Sequence, residues 1–310
     1  RDTRGRYYAA PVQPQGVVAV LAPSGEHVAT IGRAGRGPGD LYSIRDVKTT
    51  TGDSLLVFDY LRLSLFSPSG AFVRSAQVPN GLLGFRFAVL SDGKVVVNNY
   101  FPTRPSFALL DRDLNEIRSF GRSIAKERFP DSDALQFVMA PLDSGRFIAV
   151  QQNHRFLLQV WDTGGVLHKE IAREPEWFKQ WSYEDRLART PQAPPFPKVL
   201  SVYTDLERRW LWISAAVADP TWRKVTSKGG VPARGREVAE TKMISVYEYE
   251  RAFDTVLEIM DLKTGQVIVS QRFDAYIPSF MEGGLLYGLR EESTGLYIVE
   301  VWRPEVVTLR

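Results

Sequence analysis

Residues 63–78 read LSLFSPSGAFVRSAQV. Apolar side chains alternate along LSLF, Pro-Ser-Gly interrupts them, and a second extended run returns. Period-two alternation on both sides of a Pro/Gly turn is the pattern of a β-hairpin. The same pattern recurs as VVAVLAPSGEHVATIG (17–32), FALLDRDLNEIRSFG (107–121) and LLQVWDTGGVLHKEI (157–171). It returns again as VLEIMDLKTGQVIVSQRF (256–273) and YIVEVWRPEVV (297–307).

A different hairpin usually precedes each copy: IRDVKTTTGDSLLVFD (44–59), FRFAVLSDGKVVVNN (85–99), FVMAPLDSGRFIAVQQ (137–152), VLSVYTDLERRWLWISAAV (199–217) and YIPSFMEGGLLYGLREE (276–292). Two hairpins make a four-stranded unit of about 45 residues, the size of one β-propeller blade. Sheets this small cannot bury both faces alone, so they stack radially. The outer hairpins predict an all-β, six-bladed propeller of four-stranded antiparallel blades, with residues 1–310 as one domain. The first blade is incomplete at its N-terminus: GRYYAAP (5–11) reads as its second strand. Its innermost strand is expected upstream, or is replaced by a neighbouring segment. A WD40 ring is the rival fold, but Val160-Trp161-Asp162 occurs once and has no Gly-His partner.

With 310 residues the chain can bury a large core. Lys and Arg number 39 against 36 Asp and Glu, a net charge of +3 that gives little footing for nucleic acid. There is no cysteine, which excludes disulfides, thiolate metal sites and cysteine nucleophiles. No apolar run approaches the ~20 residues a membrane-spanning helix needs. The chain starts at Arg1, so a signal peptide or lipid anchor removed upstream is the expectation.

The run IGRAGRGPGDLYSIRDVKTTTGDSLLVFDYLRLSLFSPSGAFVRS (31–75) resembles a family of exported bacterial six-bladed β-propellers, related in style to NHL and TolB-like propellers. The shared pattern is a G-x-G-P-G-E/D loop followed by two characteristic strands, with Asp40 at the acidic position. The stretch 252–304 is similar to the ending of the same family, while 122–250 matches it loosely. The resemblance implies export to the periplasm or cell exterior and a propeller fold. It supplies no catalytic residues.

The glycine-rich GRAGRGPGD (32–40) has the look of a phosphate cradle. A P-loop, however, needs Gly-Lys-Ser/Thr leading into a helix, and this loop leads into the strand-like LYSIRDV. Pro38 also removes a backbone N–H donor. The stretch is therefore read as a blade connector, with Arg33 and Arg36 placed to touch a partner.

In a four-stranded blade the a–b and c–d turns share one face, and the b–c and d–a connections share the other. Here the first set is tight and the second carries the extra length, in 32–41, 99–106, 122–136, 173–198 and 218–254. Long loops on a rigid scaffold are where binding usually resides. The insertion 173–198 is predicted to hold a short helix with Trp177, Phe178, Trp181 and Tyr183. Trp177 and Trp181 would share one helical side, either packed on the rim or offered as an anchor for a partner. The insertion 218–254 carries Trp222, Arg223, Lys224, Lys228, Arg234 and Arg236, then the strand-like MISVYEYERAF. It reads as an extended, solvated hairpin or as an arm gripping an acidic surface or anionic lipid headgroups.

Catalytic residue types are sparse. His27 and His168 fall on outermost strands, His154 falls in a loop, and no H-E-x-x-H, G-x-S-x-G or Asp-rich calcium loop occurs. The leading reading is a non-enzymatic interaction module with no cofactor, docking on another protein as an accessory subunit of an envelope or membrane-associated complex. Tyr100 and Phe101 belong to the same expected surface and also suit a glycan. The alternative is a metal-dependent hydrolase or lyase, lactonase-like, holding Ca²⁺ or another divalent ion at the axial opening. Its ligands would be the strand-end Asp59, Asn98, Asn153 and Glu291, although strand ends carry Asp and Asn for turn hydrogen bonds as well.

Overall fold

A computed structural model describes residues 1–10, 16–59, 62–77, 86–99, 104–122, 132–143, 145–190, 193–222, 249–291 and 297–307. It is a six-bladed β-propeller in which the first and last blades have three strands and the other four have four. The chain divides into two compact units, Arg1–Gln151 with Leu158–Ile171, and Gln152–Leu157 with Ala172–Arg310.

The first unit carries blade one (β1 Tyr7–Ala9, β2 Val18–Leu21, β3 His27–Ile31) and blade two (β4 Ile44–Thr49, β5 Leu55–Asp59, β6 Arg62–Phe66, β7 Phe72–Gln77). Blade three follows as β8 Phe87–Val89, β9 Val95–Asn98, β10 Phe107–Leu110 and β11 Glu116–Phe120. Blade four is β12 Phe137–Pro141, β13 Arg146–Gln151, β14 Phe156–Asp162 and β15 Leu167–Arg173, whose last two residues enter the second unit. In each of these sheets spatial order follows chain order through antiparallel pairs.

The repeat seen in the sequence is also a repeat of hydrogen bonds. Ala22 N–H donates to Glu26 O and Gly25 N–H to Ala22 O; Ser67 and Ala71, with Gly70, do the same. Gly25 and Gly70 have φ of 90° and 85°, and the register slips by one beside each turn. That is a type I turn closed by a left-handed residue and a bulge, which glycine adopts without a Cβ clash. In the turn 111–115 Leu114 takes the left-handed position at φ 68°, held there by burial in the blade core.

Period two has a different meaning in the middle strands. Leu55–Asp59 is buried at every position, because both faces of the sheet meet a neighbour. Leu56 and Phe58 pack toward Phe87, Val95 and Val97 of blade three, while Leu55 and Val57 pack toward Val18, Val20 and Ile31 of blade one. Val96 of β9 turns the opposite way, joining Phe137, Met139 and Phe147 of blade four. Alternation here sorts residues between two cores rather than between core and water. The polar face appears on the outer strands: His27–Thr30 and Phe72–Ser75 are exposed. Phe107 lies at the centre of the largest aromatic group, with ring centroids 5.2 Å from Phe137, 5.3 Å from Phe147 and 5.7 Å from Trp161.

The second unit carries blade five (β16 Lys198–Asp205, β17 Trp210–Ala218, β18 Phe253–Asp261, β19 Val267–Phe273) and blade six (β20 Ser279–Phe280, β21 Leu286–Glu291, β22 Tyr297–Trp302). Side chain to backbone hydrogen bonds fasten one blade to the next. Ser214 Oγ donates to Ile277 O at 2.7 Å, and Ile277 N–H donates to Thr255 Oγ1 at 2.8 Å.

The structure corrects three local expectations. YIVEVWRPEVV supplies one strand, β22, and no fourth strand of blade six is present among the described residues. Pro304 lacks the N–H a strand ladder needs. Tyr249–Ala252, read as strand, forms a helical turn α2 before β18; the preceding 243–248 lie outside the described residues. The short helix of the first insertion is α1, Tyr183–Ala188, so Tyr183 is on it while Trp177, Phe178 and Trp181 precede it. Ser182 starts that helix: its Oγ accepts from Asp185 N–H at 3.1 Å and its own N–H donates to Asp185 Oδ2 at 2.8 Å, a capping box.

Candidate functional site on the blade connections

The expected sorting of loops holds within each blade. Every a–b and c–d turn spans four or five residues, from 22–26 through 281–285, while the long stretches 32–43, 99–106, 121–136, 174–197 and 219–252 are all b–c or d–a connections.

In the first unit the glycine-rich connection is organised around Asp40, which is 8% exposed. Its Oδ1 accepts from Arg33 Nε at 2.5 Å and its Oδ2 from Gly37 N–H at 2.8 Å. Gly35 N–H donates to Leu41 O and Leu41 N–H to Arg33 O, and the guanidinium of Arg62 caps the carbonyls of Arg36, Gly37 and Asp40. A Cβ on Gly35 would lie 2.3 Å from Asp40 Oδ2, so glycine is required by close approach. The N–H groups of Gly35, Gly37, Asp40 and Leu41 are engaged within the loop, as suits a connector. The Arg33 hydrogen bond, then the Gly37 N–H, hold the Asp40 carboxyl below its ordinary value. Arg33 and Arg36 are both exposed; Arg33 pairs with Asp40, and Arg36 lies 5.3 Å over the Tyr42 ring.

Two of the strand-end residues lie in this unit. Asp59 accepts from Tyr42 N–H at 2.9 Å and Ser43 N–H at 2.6 Å, with Arg62 3.5 Å away. Asn98 donates to Ser106 O and Leu135 O and accepts from Phe137 N–H, so it ties β9 to the start of blade four. Both hold backbone groups at strand ends. Asn153 and Glu291 lie in the second unit, the first buried beside His154 and the second ending β21.

In the second unit the insertion 173–198 is rooted on blade five by a buried ion pair. Glu258, mid-strand in β18 with a side chain 2% exposed, accepts from both terminal guanidinium nitrogens of Arg173. The indole N–H of Trp177 donates to the same carboxylate at 3.2 Å. Arg173 also lies 5.2 Å over the Phe156 ring, and Trp177 and the fully buried Phe178 pack edge-on against that ring. Farther along, Trp181 stacks on Phe196 at 4.6 Å, donates to Pro197 O, and its backbone N–H bonds His154 O. Trp177, Phe178 and Trp181 therefore form the root of the insertion. What the root presents is α1, with Arg186 4.8 Å over the Tyr183 ring, no buried residue and Leu187 68% exposed.

The second insertion leaves blade five between Ala218 and Phe253. Asp219 follows β17, Asp254 is the second residue of β18, and Asp274 follows β19, so three carboxylates gather at one end of the blade. One oxygen from each lies within 4.8 Å of the others. Arg272 Nε bonds Asp254 Oδ2 at 2.6 Å and its terminal nitrogen bonds Ala218 O at 2.7 Å. Asp219 accepts from the backbone N–H and hydroxyl of Thr221, and Trp222, half-buried, donates its N–H to Asp219 O. Of the other expected partner residues, Tyr100, Phe101, Arg223, Lys224, Arg234 and Arg236 lie outside the described residues.

Sequence reasoning missed Arg173, Glu258 and the three aspartates. Glu258 left a trace, a single charge inside the apolar run VLEIM. The aspartates stand 35 and 20 positions apart, which no local motif could join.

No family profile and no curated protein matches the chain. Among solved structures, a member of the DUF4221 family from Bacteroides vulgatus superposes with a TM-score of 0.59 at 10% identity, over 97% of this chain and 93% of that one. A protein described as exported, from Bacteroides fragilis, gives 0.55 at 11%, over 89% and 74%. The virginiamycin B lyase of Staphylococcus aureus gives 0.51 at 8%, over 99% and 83%. At these identities the likeness establishes the β-propeller fold alone.

Proposed function

We propose that this chain is an exported, non-enzymatic interaction module that docks on another protein through the long connections of its blades. It acts in the periplasm or at the cell exterior, as an accessory subunit of an envelope or membrane-associated complex, and needs no cofactor. Among the described residues no helix is long and apolar enough to cross a membrane. Export is supported by the sequence resemblance and by an exported protein among the structural likenesses.

The observation that carries the docking reading is α1. Six residues are far below the ~12–15 at which an isolated helix becomes stable in water. This helix persists on a capping box and an anchored root, yet buries none of its own side chains. It presents Leu187 between Glu184, Asp185 and Arg186, which suits a partner with a small apolar pocket rimmed by charges of both signs.

A photo-crosslinking residue at Leu187, introduced in the native host, tests it. The expected result is a discrete adduct with one protein, lost in the Glu184→Arg background, which reverses an exposed charge outside the capping box. Crosslinker at Val28, 54% exposed on the outer strand β3, is the control. No adduct from 187, or the same adduct from 28, overturns the reading.

A further inference from the structure

We propose that Asp219, Asp254 and Asp274 form a Ca²⁺ site at the root of the second insertion, where β17, β18 and β19 end together. The first support is a buried oxygen with no partner. Asp254 is 5% exposed, Arg272 binds its Oδ2, and its Oδ1 is buried without a hydrogen bond. A buried carboxylate oxygen left in this state carries a desolvation cost that a cation removes.

The second support is spacing. One oxygen from each aspartate lies within 4.8 Å of the others, close enough for all three to reach a single ion. Ca²⁺ accepts such an irregular set of oxygens, whereas Mg²⁺ demands a near-ideal octahedron. The third is charge. Three carboxylates and the Arg272 guanidinium sum to −2, which one divalent cation neutralises. Asp274 is exposed and Asp219 half-exposed, so the site opens to solvent and has room for the waters that complete a six- to eight-oxygen shell.

The site is independent of docking, because it is read on the isolated chain with no partner. Calorimetric titration of the whole chain with CaCl₂ after chelator treatment should give one ion per chain. The affinity expected for an open extracellular site is about 0.1–1 mM. Asp254→Asn should weaken binding at least about tenfold, since it removes the one ligand held in place by burial. Asp274→Asn, at an exposed position where folding is not at stake, should weaken binding several-fold. At a hundredfold excess of Ca²⁺ over the wild-type Kd the wild type should melt about 4 °C higher, and Asp254→Asn, bound at least tenfold more weakly, should rise by no more than about 2 °C. Absence of heat and of any melting shift at millimolar Ca²⁺ overturns the proposal. So does unchanged Ca²⁺ affinity in both variants, which would place the ion elsewhere.

Discussion

Arg173→Met should be among the most damaging single changes on the blade connections. It leaves the Glu258 carboxylate, 2% exposed, with only the Trp177 indole N–H of its cation-side partners. Removing one member of a buried ion pair costs about 3–5 kcal/mol, because the other charge remains desolvated. The reverse change, Glu258→Met, leaves Arg173, whose side chain is 23% exposed and can turn to water, so its cost should be smaller, about 1–2 kcal/mol. The double variant puts two flexible thioethers beside Met260 and Phe156, a setting that accepts them, and should fall within about 1 kcal/mol of wild type. The cycle therefore predicts a coupling of about 3 kcal/mol or more, far above that of an exposed pair. Urea unfolding followed by Trp fluorescence and far-UV circular dichroism measures all four proteins. Additive single effects, or a cost below about 1 kcal/mol for Arg173→Met, would refute the claim that this pair roots the insertion.

Two further outcomes follow from the first connector. Gly35→Ala should cost about 1–3 kcal/mol, because its Cβ meets Asp40 Oδ2 at 2.3 Å in a carboxylate fixed on both oxygens. Gly52→Ala, whose Cβ would meet nothing within 4 Å, should be neutral or slightly stabilising, and parallel thermal melts compare the two. Asp40 has a folded-state pKa below the ordinary aspartate value, through Arg33 and then the Gly37 N–H. Its stabilisation is therefore fully present above that value and disappears as pH falls through the lower folded value. Melting temperatures of wild type and Asp40→Asn should differ at neutral pH and converge in strong acid; a gap that persists there would contradict this assignment.

The hairpin repeat was legible because its causes are local. A Gly or Pro turn with alternating flanks encodes a strand pair whatever surrounds it, and the count of such pairs predicts the number of blades. Loop length along the chain likewise separated the tight turns from the connections. The first insertion shows where local reasoning fails. The four-residue spacing of Trp177 and Trp181 suggests a helical stripe, but Ser182 and Asp185 start the helix later. The aromatics instead pack on Phe156 and Phe196.

By itself, then, the sequence determined the strands, the turns, the blade count and which connections carry extra chain. The middle strands could be seen to be apolar, but not that alternate residues feed two different cores, since that depends on neighbouring sheets. Only the tertiary structure showed that Glu258 is sealed beneath Arg173, and that Gly35, Gly37 and Asp40 of GRAGRGPGD engage their N–H groups within their own loop. The same holds for Asp219, Asp254 and Asp274. They are distant in the chain, and become neighbours because antiparallel pairing brings the ends of β17, β18 and β19 to one edge of a single sheet.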